Sequence, residues 1–405
     1  MNSREKLVNT IKKLIKKERE ERIQVGIMTS ENTLKIKDME IDKSLLCFIE
    51  TATVDINTKL NLVGVNAVGG AGDSAHTHGW SFTDTSSYIY KLKAGDKVAL
   101  ISPAYWVPQE TLKQAAETIS AWGLQPVIGP STNNLNVNAY AGTADERTAD
   151  LMWALEDDSI KAIICSRGGY GSIHLLSRIP QDVLHQHPKW LIGHGDITIL
   201  LYAMVSAGVM CVHGPMAFQV ASAQEPASSI IRNILFGTLP QYHIPGNQYN
   251  HSGHAEGILV GGNLASYAAI SGTRFQLPPK QDIILFIEEV EEPLHVIDRL
   301  FYELILQQNF ERIKGIILGT FSSIKYDLQY GSVEQMLIAH LQKFNIPICC
   351  GFPVGSNSCI PLIEGAPCSL DVTTERATLT FNIQCDVKPQ EVDIVNPKLM
   401  KEKIF

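Results

Sequence analysis

The sequence predicts an α/β protein: a doubly wound parallel-sheet domain, then a smaller α/β domain closed by β strands, all preceded by an N-terminal extension. Three observations predict it. From Leu92 onward, short apolar runs alternate with stretches of helical spacing. Several of those runs end in glycine turns, which is where open sheets of this class bind ligands. At 405 residues, the chain also exceeds what one hydrophobic core usually supports.

Residues 1–24 place Leu7, Val8, Ile11, Leu14 and Ile15 on one helical face, with lysines and arginines around the rest, so an amphipathic basic helix is expected. Short apolar stretches at Val25–Met28, Ser44–Thr53 and Leu60–Val68 suggest a small β unit, and the polar segment after Gly69 a loop. His76 and His78 in that loop would share a side of an extended strand, but two histidines without a third ligand do not make a metal site.

The first domain, expected over 91–225, opens with the strand after Leu92-Lys-Ala-Gly-Asp96. A helix from Glu110 to Trp122, a strand after Gly123, a helix opened by Ala141-Gly-Thr143 and a strand Ile160–Cys165 follow. Arg167-Gly168-Gly169-Tyr170-Gly171 comes just past that strand, and its glycines would bring backbone N–H groups close to a carboxylate or oxyanion. Next, Trp190-Leu-Ile192 reads as a buried strand running into the turn Gly193-His194-Gly195-Asp196, with Asp196 placed to cap the following helix. His213 follows the next strand as a binding or a structural histidine. Residues 226–253, with Pro226, Pro240 and Pro245, read as a linker.

The second domain, expected over 254–388 with a tail at 389–405, begins with a strand ending at Gly261-Gly-Asn263. The apolar run Ile283–Ile287 then meets four carboxylates, Glu288, Glu289, Glu291 and Glu292; such a cluster repels itself unless solvated or held by partners. A helix over 293–308, a strand over 313–321, a glycine-bounded loop after Ile348 and two closing strands complete it.

The net charge of −8 argues against nucleic acid as the main partner. No apolar run is long enough for an integral membrane contact, and charges interrupt the N-terminus where a signal peptide would be apolar, so a cytoplasmic protein is expected. The eight cysteines lie mostly among apolar neighbours, the usage of reduced, buried thiols, and Cys359 and Cys368 match no zinc spacing. Neither a metal nor a cofactor is expected.

From about Leu92 to Ile383 the ordered segments resemble the LD-carboxypeptidase family, which includes the microcin-immunity peptidases. The matching stretches are Leu92-Lys-Ala-Gly-Asp96, Ala141-Gly-Thr143 with Arg147 and Asp150, Arg167–Gly171, Gly193 with Asp196-Ile-Thr198, His213-Gly-Pro-Met216 and Gly261-Gly-Asn-Leu264. They continue through Phe286 with Glu288-Glu289, Ile297-Asp-Arg299, Gly319-Thr-Phe321 and Gly351 with Pro353 and Gly355.

The resemblance implies a Ser-Glu-His triad in which histidine takes the serine proton and the carboxylate orients the ring. Carried over by position, the serine falls on Gly195, the carboxylate on Glu288 and the histidine on Ser356, so two of the three groups are replaced. The expectation is an impaired member of the family, with a pocket for a small peptide or peptidyl ligand bearing a free carboxylate. Arg167, Gly168 and Gly169 would hold the ligand, Asn263 and Glu288 would line the other side, and Asp196 and His213 complete the binding set. One alternative is an active peptidase with a displaced nucleophile, drawing on His194 or the hydroxyls Thr198 and Ser356; Cys349 and Cys350 lie near the Ser356 loop but flank an apolar strand and read as buried thiols. Another places the function in residues 1–90, with the rest as scaffold. The family resemblance also implies a homodimer.

Overall fold

Runs of buried aliphatic residues build the first sheet of the computed structural model. Strands β4 (Lys97–Ile101), β5 (Gln125–Ile128), β6 (Ile160–Cys165), β7 (Trp190–Gly193) and β8 (Cys211–His213) lie parallel in the order β8-β7-β6-β4-β5. Helices α1 (Gln109–Ala121), α2 (Ala144–Glu156), α3 (Gln181–Gln186) and α4 (Thr198–Ser206) connect them. Thr143 starts α2 with a capping box shared with Glu146. Every residue of α4 is buried, which explains why its sequence shows no polar face.

The structure describes residues 27–30, 33–36, 39–42, 91–135, 139–222, 225–275, 277, 281–307, 310–325, 331–355, 359–383 and 388–394. The chain divides into two units, Met1–Gly79 and Trp80–Phe405. In the first, β1 (Ile27–Ser30), β2 (Thr33–Ile36) and β3 (Met39–Asp42) form an antiparallel three-stranded sheet. The basic helix expected over 1–24 and the pair His76 and His78 lie outside the described residues.

The second unit continues with α5 (Ala217–Val220) and α6 (Ala227–Leu235), then a second sheet. Its order is β13 (Ile348–Cys350), β12 (Ile313–Ser322), β11 (Ile283–Val290), β10 (Gly253–Asn263), β15 (Pro367–Val372), β16 (Arg376–Phe381), β9 (Pro240–Pro245) and β17 (Gln390–Asp393). The strands from β13 to β10 are parallel, and the β10-β15-β16-β9 stretch is antiparallel. Helices α7 (Leu264–Ile270), α8 (Leu294–Leu306) and α9 (Val333–Leu341) pack on it.

The stretch read as a linker thus contains α6 and β9, and the stretch read as a tail contains β17. Pro240 and Pro245 are the first and last residues of β9, so neither interrupts the ladder between them. The chain also returns to the first sheet late: β14 (Leu362–Glu364) adds antiparallel to β8. Alternate side chains of each central strand face opposite cores, Ala99 and Ile101 with one and Val98 and Leu100 with the other. Both cores run through both sheets, which brings the carboxyl end of β7 near those of β10 and β11.

Candidate functional site

Strand β7 is buried throughout, His194 continues it in extended conformation, and Gly195 turns with φ +62° into one 3₁₀ turn that feeds α4. This is the strand-turn-helix geometry that displays a nucleophile. A Cβ built on Gly195 meets no atom within 4 Å, so the tip faces open space. The residue at that tip has no side chain to display.

The support of the turn is complete. Gly214 donates its N–H to the Gly193 carbonyl at 3.0 Å. Asp196, although buried, accepts the Ser172 N–H at 2.8 Å on its carboxylate, while its carbonyl accepts the Ser172 hydroxyl at 2.6 Å. Gly168 lies so close that its added Cβ would sit 3.1 Å from the His194 carbonyl and 3.4 Å from the Asp196 nitrogen. The segment Arg167–Ser172 is therefore tied to the turn near both of its ends. Gly169, at φ +104°, presses on Tyr105, where a Cβ would come within 2.3 Å of the ring. Buried Arg147 of α2 braces the same segment by donating to the carbonyls of Pro103 at 2.6 Å and Gly171 at 3.0 Å. Arg167 is exposed, its guanidinium 6.0 Å from the centre of the Tyr105 ring.

At the end of β11, two adjacent buried carboxylates divide their roles. Glu289 accepts the Asn263 amide at 2.6 Å, the Ala265 N–H at 2.9 Å and its neighbour Val290 N–H at 2.9 Å. Asn263 in turn caps α7 through the Ser266 N–H and donates its own N–H to the Thr198 hydroxyl at 3.1 Å. Glu289 is thus a fastener for α7. Glu288 is fully buried, and neither of its oxygens has a hydrogen-bond partner among the described residues. Burial, aided by the charge of Glu289, pushes its pKa up to about 8. It lies beside Gly355, where an added Cβ would be 3.0 Å from its Oε2; Ser356, the next residue, is outside the described residues.

Behind the turn sits a third polar group. His194 Nε2 is 2.8 Å from the Gln219 amide oxygen, and burial lowers the His194 pKa to about 4. The His194 ring centre is 5.9 Å from that of His213, which packs edge-on against Phe286 at 5.1 Å. His213 Nδ1 lies 3.9 Å from Glu364 of β14, beyond hydrogen-bond reach, and both groups are fully buried. Burial holds the His213 pKa well below, and that of Glu364 well above, the ordinary values. Both shifts favour the neutral form, in keeping with their place in the core.

Of the residues singled out from sequence, Gly195, Asp196, Gly168 and Gly169 come together at the turn, and Asn263 reaches the same region through Thr198. Glu288 lies at the end of β11, and His213 lies in the core behind the turn. Sequence reasoning missed Glu364, Gln219 and Arg147, of which only Arg147 carried a signal, its place in the Ala141–Asp150 motif. Of the replacement candidates, Thr198 is fully buried and accepts from Asn263, His194 is buried against Gln219, and Ser356 lies outside the described residues; Cys349 and Cys350 are buried, with thiol pKa values raised by burial. Among the described residues, no group of three or more His, Cys, Asp or Glu side chains could hold a metal ion, and no helix is long and apolar enough to cross a membrane.

Residues 98–214 match the LD-carboxypeptidase N-terminal domain and residues 256–370 the LD-carboxypeptidase C-terminal domain. A carboxypeptidase-family protein of Synechocystis is 32% identical over 296 residues, covering 72% of this chain and 95% of that protein. The murein tetrapeptide carboxypeptidase of Pseudomonas aeruginosa is 29% identical over 273 residues, covering 64% and 87% of the two chains. Among solved structures, a muramoyltetrapeptide carboxypeptidase from Oxalobacter formigenes superposes with a TM-score of 0.62 at 24% identity, over 73% of this chain and 100% of that one.

Proposed function

We propose, from the premise that this chain belongs to the LD-carboxypeptidase family, that it binds a peptide or peptidyl ligand through a terminal carboxylate and is impaired in cleaving it. The observation that carries this reading is the tip of the turn: Gly195 stands in open space, held as a nucleophile would be held, with no nucleophile on it. In acyl transfer on a strand-turn-helix of this kind the attacking oxygen is carried by the side chain at the tip, and glycine supplies none.

Glu288 supports the same reading. A carboxylate that orients a histidine normally receives the ring N–H; here both oxygens lack a partner among the described residues, and the group keeps its proton near neutral pH. In that form it carries no negative charge with which to stabilise an imidazolium. Arg167 would meet the ligand carboxylate, with the backbone of Gly168 and Gly169 alongside. Asp196 and His213 support this surface from within, through the Ser172 bonds and the ring packing described above. The setting of this reading is a homodimer, taken from the resemblance, in the cytoplasm, taken from the charged N-terminal sequence.

The test is mass spectrometry of the full chain incubated with a murein tetrapeptide, run beside the Gly195→Ser/Ser356→His double variant. The expected outcome is no release of the terminal residue by the native chain and release by the double variant. Release by the native chain at a rate the variant does not exceed would instead establish a displaced nucleophile.

A further inference from the structure

Three tyrosines and a histidine gather beside the turn, and the carboxylate reading has no use for their rings. Tyr170 stands within Arg167–Ser172, between Gly168, which abuts the His194 carbonyl, and Ser172, which is bonded twice to Asp196. Its ring is 49% exposed, among the more exposed large apolar side chains of the described residues. It meets His174 edge-on at 5.5 Å and Tyr140 at 6.4 Å, and Tyr140 meets Tyr105 at 5.7 Å.

This cluster is rigidly backed. The Arg147 guanidinium lies 4.8 Å from the Tyr140 ring centre while bonded to the Pro103 and Gly171 carbonyls. Gly169 is packed against Tyr105, and the Tyr105 N–H donates to the Gly168 carbonyl at 3.2 Å. The exposed guanidinium of Arg167 lies over the other end of the cluster, 6.0 Å from the Tyr105 ring centre. A row of rings thus runs from Tyr105 through Tyr140 to Tyr170 near the carboxyl ends of β4 and β6, with the Arg167 guanidinium at its Tyr105 end and Arg167 and Tyr170 three residues apart on one braced segment. Ordered rings offer stacking or edge-on contact at little entropic cost, and a guanidinium offers a carboxylate a paired hydrogen bond.

We infer that the ligand is a peptide whose carboxyl-terminal residue is aromatic, its carboxylate taken by Arg167 and its ring by Tyr170 and Tyr140. This rests on the terminal-carboxylate reading given above and narrows it to one class of terminal residue. The rings then select the ligand, and the cation fixes its end.

The test is isothermal titration calorimetry of the full chain with short acetylated peptides ending in Phe, Leu or Ala, in both L and D forms, each as the free acid and as the amide. The better hand of the Phe acid should bind about five- to tenfold tighter than the corresponding Leu acid and more tightly still than the Ala acid. Tyr170→Ala should erase that preference while leaving the Ala acid unchanged, and Tyr170→Phe should keep it. Since Tyr170 is half exposed, neither change removes core packing. Equal binding of Phe and Leu acids, or a preference that survives Tyr170→Ala, overturns the aromatic selection while the carboxylate reading stands. If no acid binds better than its amide, the carboxylate reading falls and takes this inference with it.

Discussion

The turn after β7 and the end of β11 hold their polar groups in opposite ways. At the turn the tip carries no side chain and its surroundings are fully bonded: the bonds from Ser172 and Gly214 and the close approach of Gly168 hold Gly195 in a left-handed conformation above open space. At the end of β11 the carboxyl group survives without a partner among the described residues, a buried acid kept neutral by its surroundings. Each bond at the turn satisfies a buried donor whose loss would cost stability, whereas the buried Glu288 carboxyl avoids the cost of an unpaired charge by keeping its proton. Glu289, one residue on, shows the contrast within a single strand: three donors make it part of the scaffold.

The largest effect should follow from removing the anchor at the turn. Asp196→Ala leaves the buried Ser172 N–H without its acceptor and should lower stability by about 2–3 kcal/mol, measured by urea unfolding. A loss below about 0.5 kcal/mol would mean that the scaffold is not held there and would break the comparison.

A middle-sized effect should come from Glu288→Gln. In the native chain the Glu288 pKa is raised from 4.5 to about 8, so over that interval the folded protein keeps a proton that the unfolded chain releases. Stability from this group is therefore fully present below about pH 4.5 and is lost as the pH rises toward about 8. Glu288→Gln should flatten that decline, raising the unfolding temperature at pH 8 by roughly 2 °C and changing it less at pH 5, read by calorimetry at both pH values. Glu289→Ala, its control, should destabilise at both, because it strands the Asn263 amide and the Ala265 N–H.

The smallest effect belongs to Gly195→Ala. Its Cβ meets nothing, so the cost is the positive φ alone, about 1 kcal/mol in the same urea measurement. A loss above about 3 kcal/mol would show that the tip is not open and that a serine could not have stood there.

Much of the architecture was legible because strands buried on both faces write themselves as continuous apolar runs, and because capping and glycine signals mark their ends. The runs at Ile160–Cys165, Trp190–Gly193 and Ile283–Val290 are strands, and the turn at Gly195 falls where the glycines placed it. Strand β14 was not legible: three residues after a loop carry no periodicity, and their partner β8 lies about 150 residues earlier in the chain. Strand β9 was hidden by prolines that prove harmless at its ends. Glu364 and Gln219 were invisible for the same reason as β14, since contacts distant in sequence put them beside His213 and His194.

What the sequence by itself determined is the α/β class, the succession of strands β4 to β8 and β10 to β12, and the presence of glycine and serine at positions where the family resemblance implies a nucleophile and a base. Those depend on residue type and local spacing, which the sequence states directly. What only the tertiary structure decided is the division of labour between Glu288 and Glu289, the bracing of Tyr170 beside the turn, and the joining of the two sheets through β14. Two adjacent glutamates are chemically identical until the fold gives three donors to one and, among the described residues, none to the other; that difference arises from packing, which no local pattern encodes.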